Sequence, residues 1–151
     1  MSERYFHVLM HGIKPSIAIR ECDVPATVAQ LMENNGETST NIFVFCRDMY
    51  STRLAMDKLY SYCLENTVYP AVCDRARMKV THLEVSIFFK RVPQTLHDIN
   101  PIMGMDASVI FTDEYSTNGD ALQFMWSRIR PRHSLSVEGT VLADALNWEE
   151  V

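Results

Sequence analysis

Two adjacent acids, Asp113 and Glu114, close the run Ala107-Ser-Val-Ile-Phe-Thr-Asp-Glu-Tyr115. A short apolar stretch that stops abruptly at carboxylates is how a buried parallel strand delivers acids to the edge of a sheet. Metals and nucleotides usually bind at that edge. With a third acid such as Asp48, the pair could also serve a metal-dependent nuclease, in which one or two metals bridge the carboxylates.

A phosphate beside such acids needs its own cradle. Glycines let backbone amides wrap the anion, a Lys meets the terminal phosphates and a Ser or Thr holds magnesium. The strand–loop–helix from Ile17 to Thr27 stands in the right place. It keeps Arg20 at its start and Thr27 in the first helical turn, but it has no glycine–lysine pair. Asp23 puts a negative charge where the phosphate should sit. That suits a helix cap and opposes anion binding.

The elements that must position these residues can be read from periodicity. Tyr5 to Met10 reads as a strand, with a turn at Gly12 to Pro15 and a second short strand at Ser16 to Arg20. A helix follows from about Val24 to Asn35, with Asp23 as N-cap and Val28, Leu31 and Met32 as its apolar stripe. Asn41 to Cys46 is a buried strand. Arg47-Asp48 is a strand exit and N-cap leading into a long helix, Met49 to Glu65, with Met49, Met56, Leu59, Tyr60 and Cys63 inward. Thr67 to Arg77 reads as a loop, and Met78 to Val92 as strand-rich. Pro93 to Ile99 reads as a helical turn. A helix after Asn118 places Leu122, Met125, Trp126 and Ile129 on one core-facing stripe and stops at Pro131. Val137 to Trp148 forms a last helix, or a strand and a helix. Strands alternating with helices predict an α/β fold, a three-layer sandwich around a mostly parallel central sheet, in one domain over residues 1–151.

The remaining titratable clusters carry weaker chemistry. Arg75, Arg77, Lys79, Lys90 and Arg91 are the densest basic stretch, joined later by Arg128, Arg130, Arg132 and His133. If the two groups fold together they make a local surface for nucleic acid or a protein partner; a solvated face is the commoner outcome. Cys22, Cys46, Cys63 and Cys73 form no CxxC pair and read as buried thiols. A zinc site drawing on Cys63 and Cys73 with His7, His11 or His82 would lack the usual ligand spacing. Nine methionines suit adaptable core filling first and a permissive binding surface second.

Composition bounds the rest. The chain has 151 residues, 47% hydrophobic and 22% charged, which fits one globular domain with a sizeable core. A net charge of −5 argues against non-specific DNA binding through the whole surface. No apolar run approaches the roughly 20 residues of a membrane span, and no membrane partner is expected. The early charges Glu3 and Arg4 give no signal-peptide pattern, so the expected location is the cytoplasm.

The order of elements resembles the ATPase domain of viral and phage large terminase subunits, a branch of the P-loop NTPases. The resemblance rests on Arg20 to Thr27 as a decayed phosphate loop, on Ile42-Phe-Val-Phe-Cys-Arg47 with its helix, and most on Val109-Ile-Phe-Thr-Asp-Glu114. It covers about two thirds of the chain as pattern. It implies Asp113 as the magnesium-binding acid, Glu114 as the residue that polarises the attacking water, Thr27 as the metal-coordinating hydroxyl and Arg20 as the phosphate-side arginine. The implied cofactor is Mg2+ with ATP or ADP. Loss of the loop lysine removes charge from the developing transition state and costs several orders of magnitude in rate. The resemblance therefore implies a non-catalytic or weakly nucleotide-binding component of a viral nucleic-acid-handling assembly, of the packaging type, in the host cytoplasm. The alternative is a small viral regulatory module that binds a host or partner protein without nucleotide. Both expect a protein partner and leave an oligomer open.

Overall fold

The computed structural model describes residues 4–10, 17–66, 71–92, 105–113, 123, 126–129 and 135–144. Its strands are β1 (Tyr5–Met10), β2 (Ile17–Arg20), β3 (Thr40–Cys46), β4 (Val72–Asp74), β5 (Lys79–His82), β6 (Val85–Arg91) and β7 (Val109–Asp113). Two longer helices, α1 (Val24–Asn34) and α2 (Met49–Asn66), connect β2 to β3 and follow β3.

The strands form one sheet in the order β2-β1-β7-β3-β6-β5-β4. Only the middle is parallel, with β3 paired to β6 on one side and to β7 on the other. The pairs β1–β2, β1–β7, β4–β5 and β5–β6 are antiparallel. The sheet is thus mixed, which corrects the mostly parallel sheet expected from the sequence. The reason lies in connection length. Parallel neighbours need a crossover of a dozen or more residues, and short links can join only antiparallel strands. Just two residues, Leu83 and Glu84, separate β5 from β6. β4 arises within the stretch that reads as a loop, because Cys73 and its neighbours pair with β5.

Leu83 turns the β5–β6 hairpin with a positive φ of 53°. Its tip docks on the end of α1, where Glu84 N–H donates to the Gly36 carbonyl at 3.0 Å. A Cβ on Gly36 would lie 2.8 Å from Leu83 Cδ1, the end of an exposed side chain that would have to turn aside.

β3 is buried along nearly its whole length, as a central strand covered on both faces should be. On one face Ile42, Val44, Ile87, Phe89, Val109 and Phe111 meet Val28, Leu31 and Met32 of α1 and Met56, Leu59 and Cys63 of α2. On the other, Leu9, Phe43, Phe45 and Ile110 gather with Phe88, Met105, Trp126 and Ile129. Phe43 contacts Phe45 and Phe88 edge to face, with centroids 5.8 and 5.6 Å apart. Each large side chain buried here contributes about 1.5–3 kcal/mol. Trp126 and Ile129 are core-facing, as their stripe suggests. Ile129 makes a parallel bridge with Ala107. Leu122 and Met125 of that stripe lie outside the described residues, as do the turn at Gly12 to Pro15 and the segment Pro93 to Ile99. After a turn at 137–140, residues 141–144 are helical and Leu142 is buried.

Candidate functional site

β1 is antiparallel to both β2 and β7, so β2, β7, β3 and β6 all point the same way. Their C-terminal residues Arg20, Asp113, Cys46 and Arg91 therefore share one edge of the sheet. β1 begins at that edge, with Tyr5 opposite Arg20 and Phe6 opposite Asp113.

This register brings Arg4 onto Asp113. The Arg4 guanidinium donates to Asp113 Oδ2, and its Nε lies 3.8 Å from Glu21 Oε2. Glu21 N–H in turn donates to the Arg4 carbonyl at 2.8 Å. Asp113 is only 1% exposed. A carboxylate buried that deeply must be paired or neutralised, and here the neighbouring strand supplies the cation. Asp113 lies at the strand end, where the apolar run places it. Its Oδ2 is already taken by a guanidinium, whose positive charge repels a divalent cation, so the described residues do not fit magnesium. No group of three or more His, Cys, Asp or Glu side chains suited to a metal occurs among the described residues. Glu114 lies outside them.

Cys46 lies at the end of β3, on the same face. Burial, and then the negative charge of Asp113, push its thiol from 9.0 up to about 12, against the lowering effect of a hydrogen bond with Thr52. It is protonated at neutral pH and is a poor nucleophile. The next residue pair serves structure. Asp48 Oδ1 accepts the Ser51 N–H at 2.7 Å, capping α2, and this bond holds the Asp48 carboxyl below its ordinary value.

The phosphate-side residues face other tasks. Arg20 ends the edge strand β2, with β1 between it and β7, and pairs with Asp23 at 3.0 Å. Asp23 sits at the α1 N-cap position but makes no side-chain cap; Arg20 holds its carboxylate instead. Thr27 is buried, and its hydroxyl donates to the Asp23 carbonyl at 2.8 Å, within its own helix.

A cleft opens between α1 and α2 above this edge. Its inner part is a cavity of about 100 Å³ with Asp113, Arg4 and Cys46 on the floor and Val28, Leu54 and Leu59 in the walls. It is below the roughly 300 Å³ at which small-molecule sites begin. A shallower groove of about 690 Å³ continues outward past Arg20, Cys22, Ser61, Tyr62 and Glu65, sharing Arg4, Glu21, Pro25 and Lys58 with the cavity. Groove cations Arg4, Arg20 and Lys58 face the acids Glu21, Asp57 and Glu65, a balance that disfavours a triphosphate.

The basic stretch is partly consumed by local pairs. Arg75 holds Asp57, Arg77 lies 3.7 Å from Asp74, and Lys79 stands 5.4 Å over the Phe88 ring. Arg128 is half-buried and accepts the Ala107 N–H at its carbonyl, 2.9 Å away. Arg130 and Arg132 lie outside the described residues. The cysteines are free thiols. Cys63 packs 4.0 Å from Met32 Sδ in the core, while Cys73 belongs to β4.

Arg4, Glu21, Tyr50, Leu54 and Lys58 are the site residues that the sequence does not announce. A lone arginine before a strand becomes meaningful only once β1 is known to lie beside β7. Compared with known families, curated proteins and solved structures, the chain finds no match. No helix among the described residues is long and apolar enough to cross a membrane.

Proposed function

We propose that this chain is a non-catalytic, NTPase-like α/β module that acts through protein contacts. The observation that carries the reading is the Arg4 guanidinium on Asp113, which neutralises the acid a nucleotide-bound magnesium would need. Three further features support it. The inner cavity is too small for a nucleotide, the Thr27 hydroxyl is bonded within α1, and the Cys46 thiol stays protonated. The resemblance in element order to large-terminase ATPase domains supplies the setting: a component of a viral nucleic-acid-handling assembly, with any residual Mg2+–ATP or Mg2+–ADP binding weak.

The second reading, a small viral regulatory module that binds a partner protein, is favoured by exposed apolar side chains at the cleft. Tyr50 is 76% exposed and Leu54 39%.

Isothermal titration of the full chain with Mg-ADP and Mg-ATP, beside a phosphate-release assay, tests the proposal. Little or no saturable heat and no sustained release are expected. Steady turnover by the unmodified chain, abolished by EDTA, overturns it.

A further inference from the structure

One carboxamide ties the end of α1 to a residue 101 positions later in the chain. Asn35 Oδ1 accepts the Ser136 N–H at 2.8 Å. Its Nδ2 donates to the Ser136 and Leu31 carbonyls, each at 2.9 Å. Asn35 is only 3% exposed. Beside it, Asn34 Nδ2 donates to the Glu138 carbonyl at 2.7 Å, and Asn34 Oδ1 accepts from Gln30 at 2.8 Å. Leu142 is fully buried, and Leu135 and Val137 pack partly buried against the same core. Segment 135–144 is thus held down by an asparagine clamp and three apolar anchors.

Gly36 follows Asn35. A glycine nitrogen, with no side chain to crowd it, is the least hindered nucleophile toward the carboxamide before it. In deamidation the Gly36 nitrogen bonds to Asn35 Cγ and the Cγ–Nδ2 bond breaks. Ammonia leaves with the Gly36 amide proton, and a succinimide ring remains. Water opens the ring at one carbonyl to give aspartate, or at the other to give isoaspartate. The folded chain blocks the first step. Hydrogen bonds to Ser136 and Leu31 keep the carboxamide from swinging toward Gly36. The Asn35 carbonyl takes the Thr38 N–H and the Gly36 carbonyl the Glu84 N–H, each at 3.0 Å, so the peptides on both sides of the Gly36 nitrogen are fixed.

We propose that Asn35–Gly36 is a latent deamidation site gated by segment 135–144. While docked, the segment holds the amide inert; each release exposes it to conversion, after which the segment cannot return. The product makes the step one-way. Aspartate would set a carboxylate oxygen where Nδ2 stood, against two carbonyl oxygens in a buried place. Isoaspartate would lengthen the main chain at the joint where α1 meets the β5–β6 hairpin. A lasting release thereby becomes permanent.

The test incubates the full chain at mildly alkaline pH and follows the amide-to-acid mass change by peptide mapping. Unfolded in urea, Asn35 should convert as fast as Asn118, which also precedes glycine. Folding should slow Asn35 about a hundredfold, because its hydrogen bonds must break together. Asn34→Ala leaves the reacting groups intact and should speed the folded chain's conversion about fivefold. Leu142→Ala, which removes an apolar anchor, should speed it about thirtyfold. In low urea the Asn35 rate should rise less steeply than hydrogen exchange of the β3 amides, since releasing a segment exposes less surface than unfolding. In Asn35→Asp, the amide NMR signals of Ser136, Thr140 and Ala143 should move to random-coil positions while those of β3 stay. Conversion of the folded chain at the urea rate would remove the shield. Equal urea slopes, or no acceleration by either variant, would remove the gate. A segment still docked in Asn35→Asp would overturn the one-way step.

Discussion

Two arginine–aspartate pairs bracket the electrostatics of this molecule. Arg4–Asp113 sits at the sheet edge, with side chains 20% and 1% exposed. Arg75–Asp57 ties the β4–β5 hairpin to α2 in the open, at 65% and 46%. The chemistry is the same and the surroundings are opposite. In water the second pair gains little, because solvent screens the attraction and two mobile side chains must be held still. In the interior, either partner left alone is a charge stripped of its solvent. The denser charge cluster is thus the less consequential one. The lone Arg4 decides what the strand-end acid can do.

The largest test of that contrast is removal of one buried partner. Asp113→Ala should lower stability by about 3–5 kcal/mol in urea denaturation, and Arg4→Met by a similar amount. The double variant Arg4→Met/Asp113→Leu should cost clearly less than the two single losses combined, since it leaves no orphaned charge. Additive losses would mean that the two side chains are not coupled, and the account of the neutralised acid would fall with them.

The same edge should show itself at high pH. Unfolded Cys46 titrates near 9.0 and folded Cys46 near about 12. Below pH 9 both states hold the proton and the thiol contributes no pH dependence. Above it the unfolded chain loses its proton first, so stability falls as pH climbs from about 9 through 12. By pH 10.5 the loss from this one group should reach about 2 kcal/mol. Cys46→Ala should flatten that part of the profile relative to the unmodified chain. A smaller slope should persist from Cys63, whose thiol burial pushes up to about 11. An unchanged alkaline profile in Cys46→Ala would mean that the folded Cys46 thiol is not shielded from water.

Local pattern made much of the fold readable. β1 coincides with the strand expected at Tyr5 to Met10. Both long helices fall within a residue of their expected ends, because apolar residues at helical spacing mark an element locally. Strand direction was not readable in the same way. Whether β1 runs with or against β7 depends on contacts between Phe6 and Asp113, more than a hundred residues apart. The site inherits that limit. Asp113 was legible as a strand terminus, but its partner Arg4 belongs to a different strand. Tyr50 and Leu54 lie on an amphipathic helix whose exposed side is set by where α1 packs, and only the assembled cleft shows them as a rim.

The smallest expected effect tests the other half of the comparison. Arg75→Ala removes the cation on Asp57, and Arg77→Ala the one near Asp74, yet neither should move the urea midpoint beyond error, because both pairs stay solvated. Asp57→Ala should behave the same way. A double-mutant cycle over Arg75 and Asp57, run at low and high salt, gives the pair's coupling directly. A weak coupling that vanishes in salt is expected, as for charges whose field the solvent already screens. A coupling as strong as that of Arg4 with Asp113 would mean that burial is not the deciding variable. The hairpin would then be a structural clamp on α2, holding the helix that carries Tyr50, Leu54 and Lys58 at the cleft.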